Sequence, residues 1–584
     1  MNRRNVLLLT CLVLCCSLLN SASIRRAPEV TLRQGKLTGF QFKLPDTSGR
    51  ISNIFLGVPF AQPPTEARRF EKPVPVQASE ETLEATKWAP GCASFAPIMN
   101  SSITDFPIKA PMTSEDCLYL NVMTPSEKSP FPGGFPVLVF IHGGGFAGGN
   151  AEIYGFQELA NEFNGLGVVV VTIQYRLGVF GFMSTGDEAM PGNLGLWDQT
   201  MALQWIQENI KAFGGNPNQV TVMGQNAGSA SVGALSLSKH SRDLFQQAIQ
   251  MSGSILSGWA LSDRVVDESK KVIEATGCQG ESAEIKECLK KMDLNKLIQS
   301  AQAVGWRRDE VNFAKFQPRM DGDFFHADID TMLHDAPKKP TIQGINSQES
   351  MIMTLPFPGA PRQSKFVIPM DKINSFGRQD LINFIETYIA TPERFGEKVG
   401  EARKQLIAFY VDRNATEAMA VDPHFFLTRY TQLLSDSQFA MPVLKEVRKK
   451  SEEGWPVFLY LLNWLSPKAN LPVLGTYQTY EFPYIFGLSI TGPFEFQPED
   501  RKLQSVIISA LVNFCHIGNP SSPLGPWPYV TEEHPLGFFD MRPNPVLRDN
   551  LMLDRMMFWQ SMGKQFDFDL IKDVDQRTGH PLKA

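Results

Sequence analysis

Beyond residue 19 the chain has no apolar run long enough to cross a membrane, no internal repeat and no low-complexity or Gly/Ser tract. A multi-pass membrane protein and a linker-joined array are therefore excluded. It also lacks a basic surplus. Lys+Arg number 55 against Asp+Glu 61, a net charge of −6, which does not suggest a nucleic-acid binder with its usual cationic face. Histidine is scarce: there are eight in 584 residues, and none lies between positions 425 and 515. No metal or cofactor is expected. What is present is a globular composition, 43% hydrophobic and 20% charged, with 41 phenylalanines and 41 prolines. That predicts many turns around a large aromatic-rich interior.

The amino terminus carries an address. Arg3 and Arg4 precede an apolar run from Val6 to Leu19, followed by Ser21, Ala22 and Ser23. Charge, grease and small residues in that order read as a secretory signal peptide over 1–23, with an uncleaved anchor as the other option. Cleavage removes Cys11, Cys15 and Cys16 and leaves 53 basic against 61 acidic residues, a charge of −8. Five cysteines remain, an odd number for an oxidising compartment. Secretion is the expectation, without a membrane span. The sequons at Asn100 and Asn414 fit that route.

Short apolar runs at Val137–Ile141, Val168–Ile173, Val220–Met223 and Val457–Leu462 read as strands covered on both faces. Leu194 to Ala212 has helical spacing, and strand–helix–strand in such a stretch predicts parallel pairing. Ser282 to Ser300 reads as one charged surface helix. Length alone would allow two to four domains. One catalytic-type α/β domain over 24–584, with long insertions, fits better.

Two glycine-containing motifs carry the chemistry. His142-Gly143-Gly144-Gly145-Phe146 follows the first strand, where backbone N–H groups can turn toward a ligand oxygen and form an oxyanion hole. Alone, it could equally be a tight turn or a phosphate loop. The third strand runs into Gly224-Gln225-Asn226-Ala227-Gly228 and then a helical stretch, the pattern of a nucleophile elbow. A serine belongs at the centre of such an elbow. This chain has Asn226.

With these motifs and others, the chain resembles the type-B carboxylesterase and cholinesterase family of the α/β-hydrolase fold along nearly all of 28–565. The matching stretches include Phe55-Leu56-Gly57-Val58-Pro59-Phe60-Ala61, Glu115-Asp116-Cys117-Leu118-Tyr119-Leu120-Asn121-Val122 and Gly192-Asn193-Leu194-Gly195-Leu196-Trp197-Asp198-Gln199. The resemblance implies a large, mostly parallel twisted sheet with helices on both faces. It implies ion pairs Arg69–Glu115 and Arg176–Asp198, and disulfides Cys92–Cys117 and Cys278–Cys288, leaving Cys515 as an inert buried thiol. It places the catalytic acid at Glu349, the nucleophile position at Asn226 and the base position at Gln478. Gly144, Gly145 and Ala227 would form the oxyanion hole.

Two members of that triad cannot do the chemistry. A carboxamide is a very poor nucleophile, and glutamine has no proton to exchange near neutral pH. Ser229 would sit inside the elbow helix, badly placed to replace the nucleophile. Asn226 and Gln478 can, however, bond to each other and to Glu349, keeping the polar groups satisfied. The loop between Cys92 and Cys117 holds no tryptophan, so a cation–π seat for choline is not expected there. Gln225 replaces an acidic residue, and Trp259 reads as acyl-pocket wall or as core. Three functions follow: a silent hydrolase-like protein that binds a protein partner, a carrier of an apolar ester or lipid, or an esterase with an unrecognised nucleophile. The apolar segment Leu551 to Phe566 suggests a homodimer through a C-terminal helix, with core packing as the other reading.

Overall fold

The computed structural model describes residues 27–45, 49–94, 112–357, 364–416, 419 and 421–575. The signal segment and Asn100 lie outside them. Eleven strands form the main sheet. They are β1 (Phe40–Lys43), β2 (Ile51–Pro59), β3 (Tyr119–Pro125), β4 (Phe135–Ile141), β5 (Val169–Ile173) and β6 (Gly215–Gln225). The rest are β7 (Gln247–Met251), β8 (Thr341–Asn346), β9 (Val457–Leu462), β10 (Phe538–Met541) and β11 (Val546–Arg548). Their order is β11-β10-β9-β8-β7-β6-β4-β5-β3-β2-β1. From β10 through β6 to β4 and β5 every pairing is parallel, and the remaining pairings are antiparallel. β4, β5 and β9 are buried at every position, which is why their sequences run apolar without alternation.

Helices pack around this sheet. Leu194–Asn209 forms α1, ending in a 3₁₀ turn to Phe213, and Ala227–Leu237 forms α2, which packs on β6 and β7. One expectation is corrected. The segment from Ser282 is two helices, α3 (Ser282–Lys291) and α4 (Leu294–Val304). Asp293 breaks it, because its carboxylate accepts the Lys296 N–H as an N-cap, competing with helix continuation.

The expected staples are in place. Arg69 binds Glu115 through two nitrogens at 2.5 and 2.6 Å, and Arg176 binds Asp198 at 2.7 and 2.8 Å. Cys92–Cys117 and Cys278–Cys288 are bonded. Cys515 is free and buried, and burial pushes its thiol up to about 12, leaving almost no thiolate at neutral pH. Each disulfide should contribute roughly 2–4 kcal/mol. Reduction is therefore expected to lower the melting temperature by several degrees; an unchanged melting curve in reductant would contradict this.

The C-terminal helix, α5 (Leu553–Phe566), spends most of its apolar surplus inward. Met556, Trp559, Met562 and Phe566 are buried, Phe558 stacks on Phe409 at 4.0 Å, and Met557 alone of the group is largely exposed. The periodicity that suggested a dimer face is thus accounted for largely by the core.

Candidate active site

Parallel strands present their C-terminal ends to a common edge, and the site residues gather there. β4 leads into the glycine loop, β6 into Asn226, and β8 into the turn bearing Glu349; Gln478 comes from the chain that follows β9. Asn226 sits at φ 55°, ψ −117°, a strained backbone for a residue with a side chain. Neighbouring glycines permit it. A Cβ on Gly228 would lie 2.1 Å from the Ile141 carbonyl oxygen, so the elbow could not close against β4 with any other residue. Gly144 has φ +122°, which turns its N–H toward the elbow.

The Asn226 side chain occupies the space that this loop surrounds. Its Oδ1 accepts the Gly145 N–H at 3.0 Å and the Gly144 N–H at 3.3 Å. Its Nδ2 donates to Gln478 Oε1 at 3.2 Å. Two backbone N–H groups of the glycine loop therefore converge on a single oxygen, which here belongs to the protein itself. Asn226 and Gln478 are both buried, at 5% and 3% exposure. Ala227 follows directly as the first residue of α2.

Glu349 departs from expectation. Asn226 and Gln478 do bond to each other, but the Gln478 carboxamide does not reach the Glu349 carboxylate. Its Nε2 points to the Ser252 carbonyl at 3.4 Å, and only its backbone N–H bonds Glu349, at the main-chain oxygen. Glu349 Oε1 accepts the Asn346 N–H at 2.7 Å, while Oε2 has no hydrogen-bond partner among the described residues. The site's polar groups are not all satisfied. Burial, and secondarily the nearby Glu481 carboxylate, push the Glu349 carboxyl up to about 8, against a smaller opposing pull from Ser252 and Asn346. Sequence reasoning passed over Ser252, Asn346 and Tyr460, which complete this network. Asn346 was readable, since it stands three residues before Glu349 in Gly344-Ile345-Asn346-Ser347-Gln348-Glu349, the stretch that ends β8.

His142 and Ser229, near the two glycine motifs, are engaged elsewhere. His142 is buried, stacks on Tyr175 at 4.6 Å, and is pushed down to about 4 by burial, so it is neutral at pH 7. The Ser229 hydroxyl, fully buried, donates to the Gly253 carbonyl at 2.7 Å. Trp259 is also fully buried and stacks on Phe313 at 5.5 Å.

Comparison with known proteins matches a carboxylesterase family model to residues 26–559. The chain belongs to the carboxylesterase family. It is 31% identical to Gut esterase 1 of Caenorhabditis briggsae over 97% of this chain and 98% of that one. It is also 31% identical to acetylcholinesterase of Bungarus fasciatus, over 90% and 85% of the respective chains. The large, mostly parallel sheet is the α/β-hydrolase architecture of this family. No helix among the described residues is long and apolar enough to cross a membrane.

Proposed function

We propose that this carboxylesterase-family protein is catalytically silent and acts by binding, either to a protein partner or to a small apolar ligand. In this reading Asn226 stands at the nucleophile position and Gln478 at the base position. Glu349 is the retained acid, and Gly144, Gly145 and Ala227 form the oxyanion hole. The carrying observation is the Asn226 carboxamide oxygen bonded to the N–H groups of Gly144 and Gly145. An ester carbonyl would have to displace that oxygen, and would then meet no nucleophile and no base. A secreted location after removal of 1–23 belongs to the same proposal. Two disulfides and an exposed sequon at Asn414 support it.

Serine-directed fluorophosphonate tests it, because that reagent needs an activated hydroxyl. The expected outcome is no covalent adduct and no hydrolysis of a chromogenic ester above buffer. A stoichiometric adduct on any serine near Asn226 would overturn the reading. Native mass spectrometry of the purified chain then separates the two binding roles, a co-purified lipid favouring the carrier.

A further inference from the structure

Behind the Asn226–Gln478 pair lie two carboxyl groups with no cationic partner among the described residues. Glu349 is fully buried and Glu481 is 2% exposed. Both are fastened to the same residue: the Asn346 N–H donates to Glu349 Oε1 at 2.7 Å, and Asn346 Nδ2 to Glu481 Oε1 at 2.9 Å. The Tyr460 hydroxyl adds a bond to Glu481 Oε1 at 3.3 Å. Glu349 Oε2, Glu481 Oε2 and Asn346 Oδ1 are each buried and without hydrogen-bond partners among the described residues. All three are acceptors without a donor.

The groups facing the pair are Asn346 at the end of β8, Ser252 after β7, Tyr460 on β9, and Gln478. Each is neutral at pH 7; burial and the two carboxylates hold the Tyr460 phenol well above its ordinary range. Two buried carboxylates fastened to one neutral residue, with no cationic side chain to offset them, are costly to keep ionised. Paired acids elsewhere relieve that cost by keeping a proton.

We propose that Glu349 and Glu481 together hold one proton through the neutral range, and that its loss at alkaline pH loosens the fold around the site. The O–H of the protonated acid adds a donor beside buried oxygens that have none. Burial raises both carboxyls from their ordinary range, Glu349 to about 8, and the Glu481 carboxylate further opposes ionisation of Glu349. The sign follows from linkage. Between about 4.5, where the unfolded glutamate releases its proton, and about 8, the native state binds one proton more than the unfolded state. Stability then falls as pH rises, with the folding constant losing roughly tenfold per pH unit. The inference depends on the acid pair alone and stands whether or not Asn226 is silent.

Denaturant unfolding of the full chain from pH 5.5 to 8.5 tests it, read as the difference between the unmodified protein and Glu349→Gln. Other buried acids, such as Asp436, titrate equally in both. The expected result is that Glu349→Gln removes about one proton from the pH slope and is more stable than the parent at pH 8. Glu481→Gln should act in the same direction. Equal slopes in parent and variants overturn the proposal. Should neither variant fold, infrared spectra of the parent with ¹³C-labelled glutamate decide: a protonated carboxylic acid stretch at pH 7 that fades above pH 9 supports it, and absence of the band overturns it.

Discussion

Combining Asn226→Ser with Gln478→His is expected to produce a protein that hydrolyses a short-chain aryl ester, while either change alone stays near background. Asn226→Ser does two things. It clears the carboxamide oxygen from the Gly144 and Gly145 N–H groups, and it supplies a hydroxyl on the strained elbow. Without a base that hydroxyl stays protonated. Gln478→His alone supplies a base with nothing to deprotonate. In the double variant an imidazole stands between the new hydroxyl and Glu349, whose Oε2 now lacks a partner and can accept its N–H.

Triad members act as a unit, so the gain should be strongly non-additive, on the order of 10³-fold over either single variant. It should stay well below a native esterase, because supporting contacts tuned to a carboxamide will not hold an imidazole to within a fraction of an ångström. Turnover of p-nitrophenyl acetate measures it, with Glu349→Ala added as the control that should abolish the gain. A folded double variant without turnover would show that the geometry around the hole no longer accepts an ester.

How far the sequence carries this reading depends on what each residue has to specify. β9 was legible to the residue, because a strand covered on both faces must be apolar throughout, and Val457 to Leu462 is. The elbow was legible because only glycines fit beside it, at Gly224 and Gly228. The identity of Asn226 and Gln478 was enough to predict that they bond to each other. Their orientation was not. Whether Gln478 Nε2 turns to Glu349 or to the Ser252 carbonyl is settled by ångström-scale differences in how β7, β8 and the chain after β9 pack. No spacing in the sequence encodes that. Asp293 shows the same limit on a local scale: the helical period of 282–300 was real, but a side chain accepting the backbone N–H of Lys296 outweighed it.

Asp198→Ala is expected to destabilise the fold by about 3–5 kcal/mol, a large share of a typical stability. The Arg176–Asp198 pair is almost fully buried, with side-chain exposures of 4% and 0%. Asp198 accepts from Arg176 Nε, Nη2 and the Arg176 backbone N–H, at 2.8, 2.7 and 3.0 Å. Removing the carboxylate strands a guanidinium in the interior with one remaining bond among the described residues, to the Glu71 carbonyl. The cost comes from that uncompensated charge rather than from the net worth of the pair. Replacing both, Arg176→Met with Asp198→Leu, should therefore recover most of the loss. It should not recover all of it, because the Arg176 backbone N–H still lacks its acceptor, an omission of about 1–3 kcal/mol. Asp198→Asn keeps an oxygen for that N–H and should fall between Asp198→Ala and the parent. An exposed pair gives the contrast: Lys72–Asp323, with both side chains 47% exposed, should change stability by under about 1 kcal/mol in Asp323→Ala. Denaturant midpoints of the five proteins, taken at one pH, order these effects. If Asp198→Ala shifts the midpoint no more than Asp323→Ala does, burial of the Arg176–Asp198 pair is not what makes it matter.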